Sequence, residues 1–335
     1  MSMKKTKQHI ILLLAVLLTA GLSSCIKEDY AGSSNDTATV NLVFDTRAAG
    51  QDGDKVQGEA NEGIKTLRVF LTDEEGNVQI KAYKEYNNEE RVTLTIMGVP
   101  VGKKNFYVIA NEASVGLDKS SLDALEKIND DFLNTVITNP SGNAYFPKMR
   151  NQINDLGLPI TGMVSAEISG TKDQTIEIPI TRAVAKVVLN INNQMSEAFW
   201  VNGVTLGKFI ADATYLFPDR DSYEIGDSGL RTHQFTATTQ GFFVNPGKND
   251  GVFVFYIYET GKSALASDFT IALYSPTVPE LEEAKAFFTD RNYLDRNEQL
   301  VIDATVNVQQ DVFVTTLQYE VQPWTSVPVT VPPFN

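Results

Sequence analysis

Residues 176–191 read Ile-Glu-Ile-Pro-Ile-Thr-Arg-Ala-Val-Ala-Lys-Val-Val-Leu-Asn-Ile. Ile176, Ile178 and Ile180 recur at the period of two that belongs to a strand. Pro179 lies between the last two and brings no ladder donor, so this strand lies on a sheet edge or ends there. From Arg182 a new run begins, with Ala185, Val187, Leu189 and Ile191 on one face. Two strand patterns that meet at a break near Thr181 point to an all-β chain passing from one domain into the next. A length of 335 residues fits two domains.

Working outward from this stretch, short apolar runs continue on both sides. Downstream, strands are expected at 201–210, 252–258, 269–274 and 299–308, and no helical period competes with them. Upstream they are expected at 38–46, 64–72, 91–97, 104–110, 159–168 and 174–180. In the first of these, Val40, Leu42 and Phe44 share one face. In 91–97, Val92, Leu94 and Ile96 alternate with Thr93 and Thr95. One short helix is expected at 120–134, capped by Ser120 or Ser121, with Leu122, Leu125, Ile128 and Phe132 at spacings of three and four. Residues 48–63 and 135–158 read as loops, the latter with the turn Asn139-Pro140-Ser141-Gly142.

The C-terminal end carries two further patterns. Phe313, Leu317, Tyr319 and Val321 occupy odd positions against Thr316, Gln318, Glu320 and Gln322. After Trp324, Val327, Val329 and Val331 again share a face, with Pro328 and Pro332 on the other. Such a segment offers an apolar stripe but only a partial set of ladder hydrogen bonds.

Composition narrows the function. Hydrophobic residues make up 42% and charged residues 21%, enough for ordinary cores. The formal net charge is −14; without residues 1–24, which hold three lysines and no acid, it is −17. Such a surface repels nucleic acid, and no nucleic-acid partner is expected. The chain has one cysteine, Cys25, and two histidines, His9 and His233. That excludes an intrachain disulfide framework and Cys/His zinc clusters. Asp219, Asp221 and Asp227 invite a calcium reading, but position six of that loop is Glu224 where the pattern needs glycine. No metal, cofactor or catalytic site is assigned, and the chain is not expected to be an enzyme.

The first 24 residues form a signal peptide. Lys4, Lys5 and Lys7 precede the apolar run Ile10–Leu18, which is too short to span a bilayer. Leu22-Ser23-Ser24-Cys25 resembles the bacterial lipobox, in which the cysteine thiol is acylated, palmitate being a usual acyl group. Several acyl chains hold a protein firmly at a membrane. Residues 25–36 then read as a lipidated tether; Ile-Lys-Glu-Asp-Tyr after Cys25 resembles a surface-export signal, and Ala31–Asp36 as a flexible linker.

Taken in order, these segments resemble the Bacteroidetes-type fimbrillins, the major subunits of type V pili. The resemblance rests on the leader with Cys25 and on the strand Ala38–Phe44, which ends shortly before Arg47-Ala48. It rests further on Leu67–Phe70 with Asn105–Asn111, on Leu158–Gly162 followed by Ile176–Val188, and on the last strands around Trp324. It implies two transthyretin-like β-sandwich domains, 37–180 and 181–335. It also implies a lipidated precursor at the cell outer membrane and cleavage after Arg47 by an arginine-specific protease. Loss of the first strand, 37–47, would then open a groove that Val40, Leu42 and Phe44 had plugged. A donor strand at 325–335 of the next subunit, with Val327, Val329, Val331 and Phe334, would fill it. Partners are then other copies of the chain, with anchor and tip subunits, in a surface fimbrium that supports adhesion. By its residues alone Arg47 reads as an ordinary solvated arginine, and only the resemblance turns it into a processing site. The rival readings are a pilus anchor or tip subunit, and a monomeric surface lipoprotein that binds glycan or protein through aromatics such as Trp200. A carboxylate-dependent hydrolase ranks last.

Overall fold

The β-branched and aromatic runs become strands almost throughout. A computed structural model describes residues 37–46, 62–138, 146–149, 153, 156–170, 173–217, 230–236, 241–247, 249–260, 269–282, 286–287, 293–310 and 312–324. In chain order the first elements are β1 (Thr37–Asp45), β2 (Ile64–Thr72), β3 (Val78–Glu89), β4 (Arg91–Pro100) and β5 (Gly102–Ala110). Two short helices follow, α1 (Lys119–Ala124) and α2 (Asp130–Leu133). Next come β6 (Val136–Thr138), β7 (Lys148–Met149), β8 (Ile160–Ile168), β9 (Gln174–Pro179), β10 (Thr181–Arg182) and β11 (Val184–Asn193). The remainder comprises β12 (Phe199–Val201), β13 (Gly203–Ala211), β14 (Ala213–Tyr215), β15 (Leu230–Thr236), β16 (Phe242–Val244), β17 (Asn249–Tyr258), β18 (Thr270–Tyr274), β19 (Ala286–Phe287), β20 (Glu298–Gln309) and β21 (Val312–Pro323).

Two pairs of sheets enclose two hydrophobic clusters. A three-stranded sheet, β4-β1-β9, faces a five-stranded one, β10-β8-β5-β2-β3. Between them lies a cluster drawn wholly from residues 38–180, including Val40, Leu42, Phe44, Leu67, Phe106 and Ile178. A second five-stranded sheet, β21-β20-β11-β17-β7, and a four-stranded sheet, β15-β13-β18-β19, enclose the larger cluster. Phe70 and Ile109, on the outer faces of β2 and β5, belong to that larger cluster, as do Val115, Leu122 and Ile128. This explains why β2 is buried without alternation from Leu67 to Thr72. The short strands β6 and β7 pair with β14 and β17.

The structure departs from the sequence reading at three places. The expected helix 120–134 is two helices with an extended stretch between them. Its middle is claimed by the β2–β3 turn: Val78 N–H donates to the Glu126 carbonyl at 2.9 Å, and Ile128 N–H to that of Gly76 at 2.8 Å. The caps are Asp118 and Asn129, whose side chains accept from Ser121 N–H and Phe132 N–H, rather than Ser120 or Ser121. Hydrogen bonds from Ser120 and Ser121 hold the Asp118 carboxyl at about 2. Strand β3 was not expected, because Lys81, Lys84 and Glu85 interrupt its apolar pattern; it is an edge strand, where such charges discourage unwanted pairing. Residues 135–158, expected as loop, supply β6 and β7. Pro179 ends β9, itself an edge strand, in keeping with its missing donor.

Candidate functional site

β1 is the middle strand of its sheet. It runs antiparallel to β4, with Val40, Leu42 and Phe44 opposite Ile96, Leu94 and Val92. It runs parallel to β9, where the same three residues face Gln174, Ile176 and Ile178. Among the described residues neither β4 nor β9 pairs with any other strand, so β1 alone joins them into a sheet. Its inward side chains Val40, Leu42 and Phe44 are fully buried. Burying three side chains of this kind stabilises by about 5–9 kcal/mol before entropy. Its outward side is held more lightly: Thr95 Oγ1 donates to Asn41 Oδ1 at 2.7 Å, and Arg91 stands 3.9 Å from Asp45. Without β1, the facing edges of β4 and β9 would carry unpaired backbone groups above an open apolar floor.

The end of β1 enters a buried polar cluster. Thr46 is 2% exposed. Its N–H and hydroxyl both donate to the Glu90 carbonyl, at 3.1 and 3.2 Å. Its own carbonyl accepts from Arg182 Nη1 at 3.2 Å. Arg182 lies over the Trp324 ring at 4.3 Å and donates to Asn297 Oδ1 at 3.4 Å. Lys186 donates to Glu62 at 2.8 Å, and the Tyr256 hydroxyl donates to the same carboxylate at 2.5 Å. Tyr256 stacks on Trp324 with centroids 5.7 Å apart. Burial pushes the Arg182 guanidinium below its ordinary range, while Glu62 opposes the shift most strongly. Thr46 and Glu62, which flank residues 47–61, thus both end in this cluster, and so does Trp324, after which residues 325–335 begin.

Of the residues singled out in the sequence, the structure brings Val40, Leu42 and Phe44 together on one buried face. Cys25, Arg47, Ala48, Val327, Val329, Val331 and Phe334 lie outside the described residues, as do Asp219, Asp221 and Asp227. Three members of the cluster were missed. Lys186 falls at the polar phase of β11 and reads as solvent-facing, yet it is 8% exposed because that strand is central and covered on both faces. Glu62 sits in a polar stretch with no period. Arg182 had only its place beside the break to mark it. The signal that could have found them is the coincidence of Arg182 and Lys186 with an aromatic just past the last full strand.

Two rival sites take a definite form. Trp200 packs against Phe243 with centroids 5.0 Å apart and planes at 55°. His233 packs its ring edge-on against Phe235 at 4.6 Å; burial and the neighbouring Arg231 hold it down to about 4, so it is neutral at pH 7. Among the described residues no three His, Cys, Asp or Glu side chains converge on a cation position.

The chain is thus all-β, with its first described strand closing one sheet of a sandwich. Residues 38–143 match the family described as Major fimbrial subunit protein (FimA). A candidate cell adhesion protein from Parabacteroides distasonis shares the fold at TM-score 0.55 and 16% identity, over 88% of this chain and 98% of that one. The tip fimbrial protein Mfa3 from Porphyromonas gingivalis, in a C-terminally truncated form, does so at TM-score 0.53 and 13% identity, over 85% and 100%. No curated protein matches the sequence. Over residues 38–143 the chain is thus similar to the major fimbrial subunit family.

Proposed function

We propose that this protein is a structural stalk subunit of a cell-surface fimbrium, non-enzymatic, that polymerises by exchange of its first strand. It is exported as a lipoprotein acylated on Cys25 and reaches the outer membrane in that form. An arginine-specific protease cuts between Arg47 and Ala48, and residues 37–47 leave the slot between β4 and β9. Residues 325–335 of a neighbouring copy, with Val327, Val329, Val331 and Phe334, then fill it. The division into domains 37–180 and 181–335 belongs to the same reading, supported by a smaller core drawn only from residues 38–180.

One observation carries the proposal: among the described residues, β1 is the sole link between β4 and β9. A slot of that kind demands a strand, and any segment with three apolar side chains at period two can meet its floor. A head-to-tail contact of this kind builds an open filament rather than a ring.

Arg47→Ala tests the processing step. The variant should fold and be exported but stay monomeric, because its own first strand holds the slot at an effective concentration no neighbour can match. Electron microscopy and size-exclusion chromatography of surface-released protein are the readouts. Normal filaments whose subunits retain residues 38–47 would sink the mechanism.

A further inference from the structure

The apolar floor of the β1 slot does not by itself select its occupant. Triplets of apolar residues at period two recur in the chain, as in Val92, Leu94 and Ile96 or Val187, Leu189 and Ile191. The far end of the slot supplies a second criterion. The last ladder pairs of β1 are Asp45 with Arg91 and Asp45 with Pro179. One residue further on, the Thr46 carbonyl meets the buried guanidinium of Arg182 at 3.2 Å. That guanidinium is fixed from behind by the Trp324 ring at 4.3 Å. Its other acceptor, Asn297 Oδ1 at 3.4 Å, is shared with the Arg182 backbone N–H at 3.5 Å. Glu62, the acid that acts on it most strongly, is already engaged by Lys186 and Tyr256. Among the described residues Arg182 Nε has no acceptor at all. A buried cation stripped of one acceptor is far costlier than one that keeps it.

Resting on the strand-exchange reading above, we propose that Arg182 is a specificity-determining residue of the slot. It requires a backbone carbonyl, one residue past the last ladder pair, from whichever strand occupies the groove: the first strand of the same chain or the donor strand of a second copy. A strand that fills the three apolar positions but stops short of this point leaves the guanidinium without its carbonyl. Arg182 therefore sets the minimum reach of a competent donor, which the period-two pattern leaves open.

The test uses the full chain with a site-specific protease sequence inserted after Arg47, so that nicking does not depend on natural processing. After nicking, the resident strand is displaced by either of two labelled peptides. One is residues 37–46 as the C-terminal amide. The other ends in a 2-hydroxypropylamide in place of Thr46, which keeps the N–H and the hydroxyl and lacks the terminal carboxamide that carries the carbonyl. With Arg182 present, the second peptide should bind roughly 10- to 100-fold more weakly, the range of one hydrogen bond to a charged group. In Arg182→Met the two should bind alike, and Arg182→Lys should restore part of the preference. Equal binding of both peptides to the Arg182 chain would overturn the assignment while leaving strand exchange intact. Failure of either peptide to displace the nicked strand at saturation would instead overturn the exchange reading and this one with it. Should Arg182→Met not fold, the peptide pair on the Arg182 and Arg182→Lys chains still decides.

Discussion

Asn111 shows how much one side chain can hold. Its Oδ1 accepts from Lys65 and Thr66 N–H at 2.8 and 3.2 Å, and its Nδ2 donates to the Gly63 and Leu158 carbonyls at 3.0 and 2.7 Å. It does this at φ 58°, a left-handed conformation that asparagine tolerates better than most residues. Asn111→Ala should therefore cost about 2–4 kcal/mol, read from urea denaturation at constant slope. In the sequence Asn111 merely ends a strand; that it stitches three segments together is visible only once they meet. His233 carries a pH signature. The unfolded chain takes up a proton on this ring as pH falls through about 6.5, whereas the native ring does so near 4. The stability linked to it is fully present above 6.5 and drains away as pH falls to about 4. With solvent screening allowed for, the loss is about 1–2 kcal/mol. His233→Gln should flatten that part of the stability curve; an unchanged slope between pH 6.5 and 4 would refute the assignment.

At the scale of elements, the crossing that opened the sequence reading is packed closely against β8. A Cβ on Gly162 of β8 would stand 2.3 Å from the Pro179 carbonyl oxygen and 2.8 Å from Ile180 Cγ2. The first of these is backbone and cannot turn away. Gly162→Ala should cost about 1–3 kcal/mol by forcing β8 from the β9–β10 passage, lowering the thermal midpoint. A midpoint at or above that of the parent chain would mean the passage yields freely. Strands with full alternation, such as β1, β20 and β21, were legible from period alone. β3 was not, because an edge strand owes its exposed face to solvent and carries lysines there. The split helix was not legible either, because hydrogen bonds offered by the distant β2–β3 turn outcompete helix bonds across residues 125–129.

For the whole molecule, Trp324 is a member of the larger cluster at 3% exposed, and β21 is paired along its length to β20. Deleting residues 325–335 should thus abolish filaments while moving the thermal midpoint of the subunit by only a few degrees. Val329→Asp should act like the deletion, since it would bury an unpaired carboxylate in a neighbour's slot. Filament assays and melting of the truncated, Arg47-cleaved protein separate this from a tail packed in its own chain, whose loss would collapse the fold.

Period-two alternation, the break at Pro179 and Thr181, and a composition with one cysteine and two histidines determined on their own that this is an all-β chain, and argued against a zinc or disulfide scaffold. Those features are local, because which face of a strand is apolar depends only on its own residues. The tertiary structure alone decided that, among the described residues, β1 is the single bridge between β4 and β9, and that Lys186 is buried at a polar phase. It alone brought Thr46, Glu62, Arg182 and Trp324 into one cluster, Arg182 lying 136 residues along the chain from Thr46. No local pattern encodes such a meeting, since it depends on which sheets stack and where the strands end.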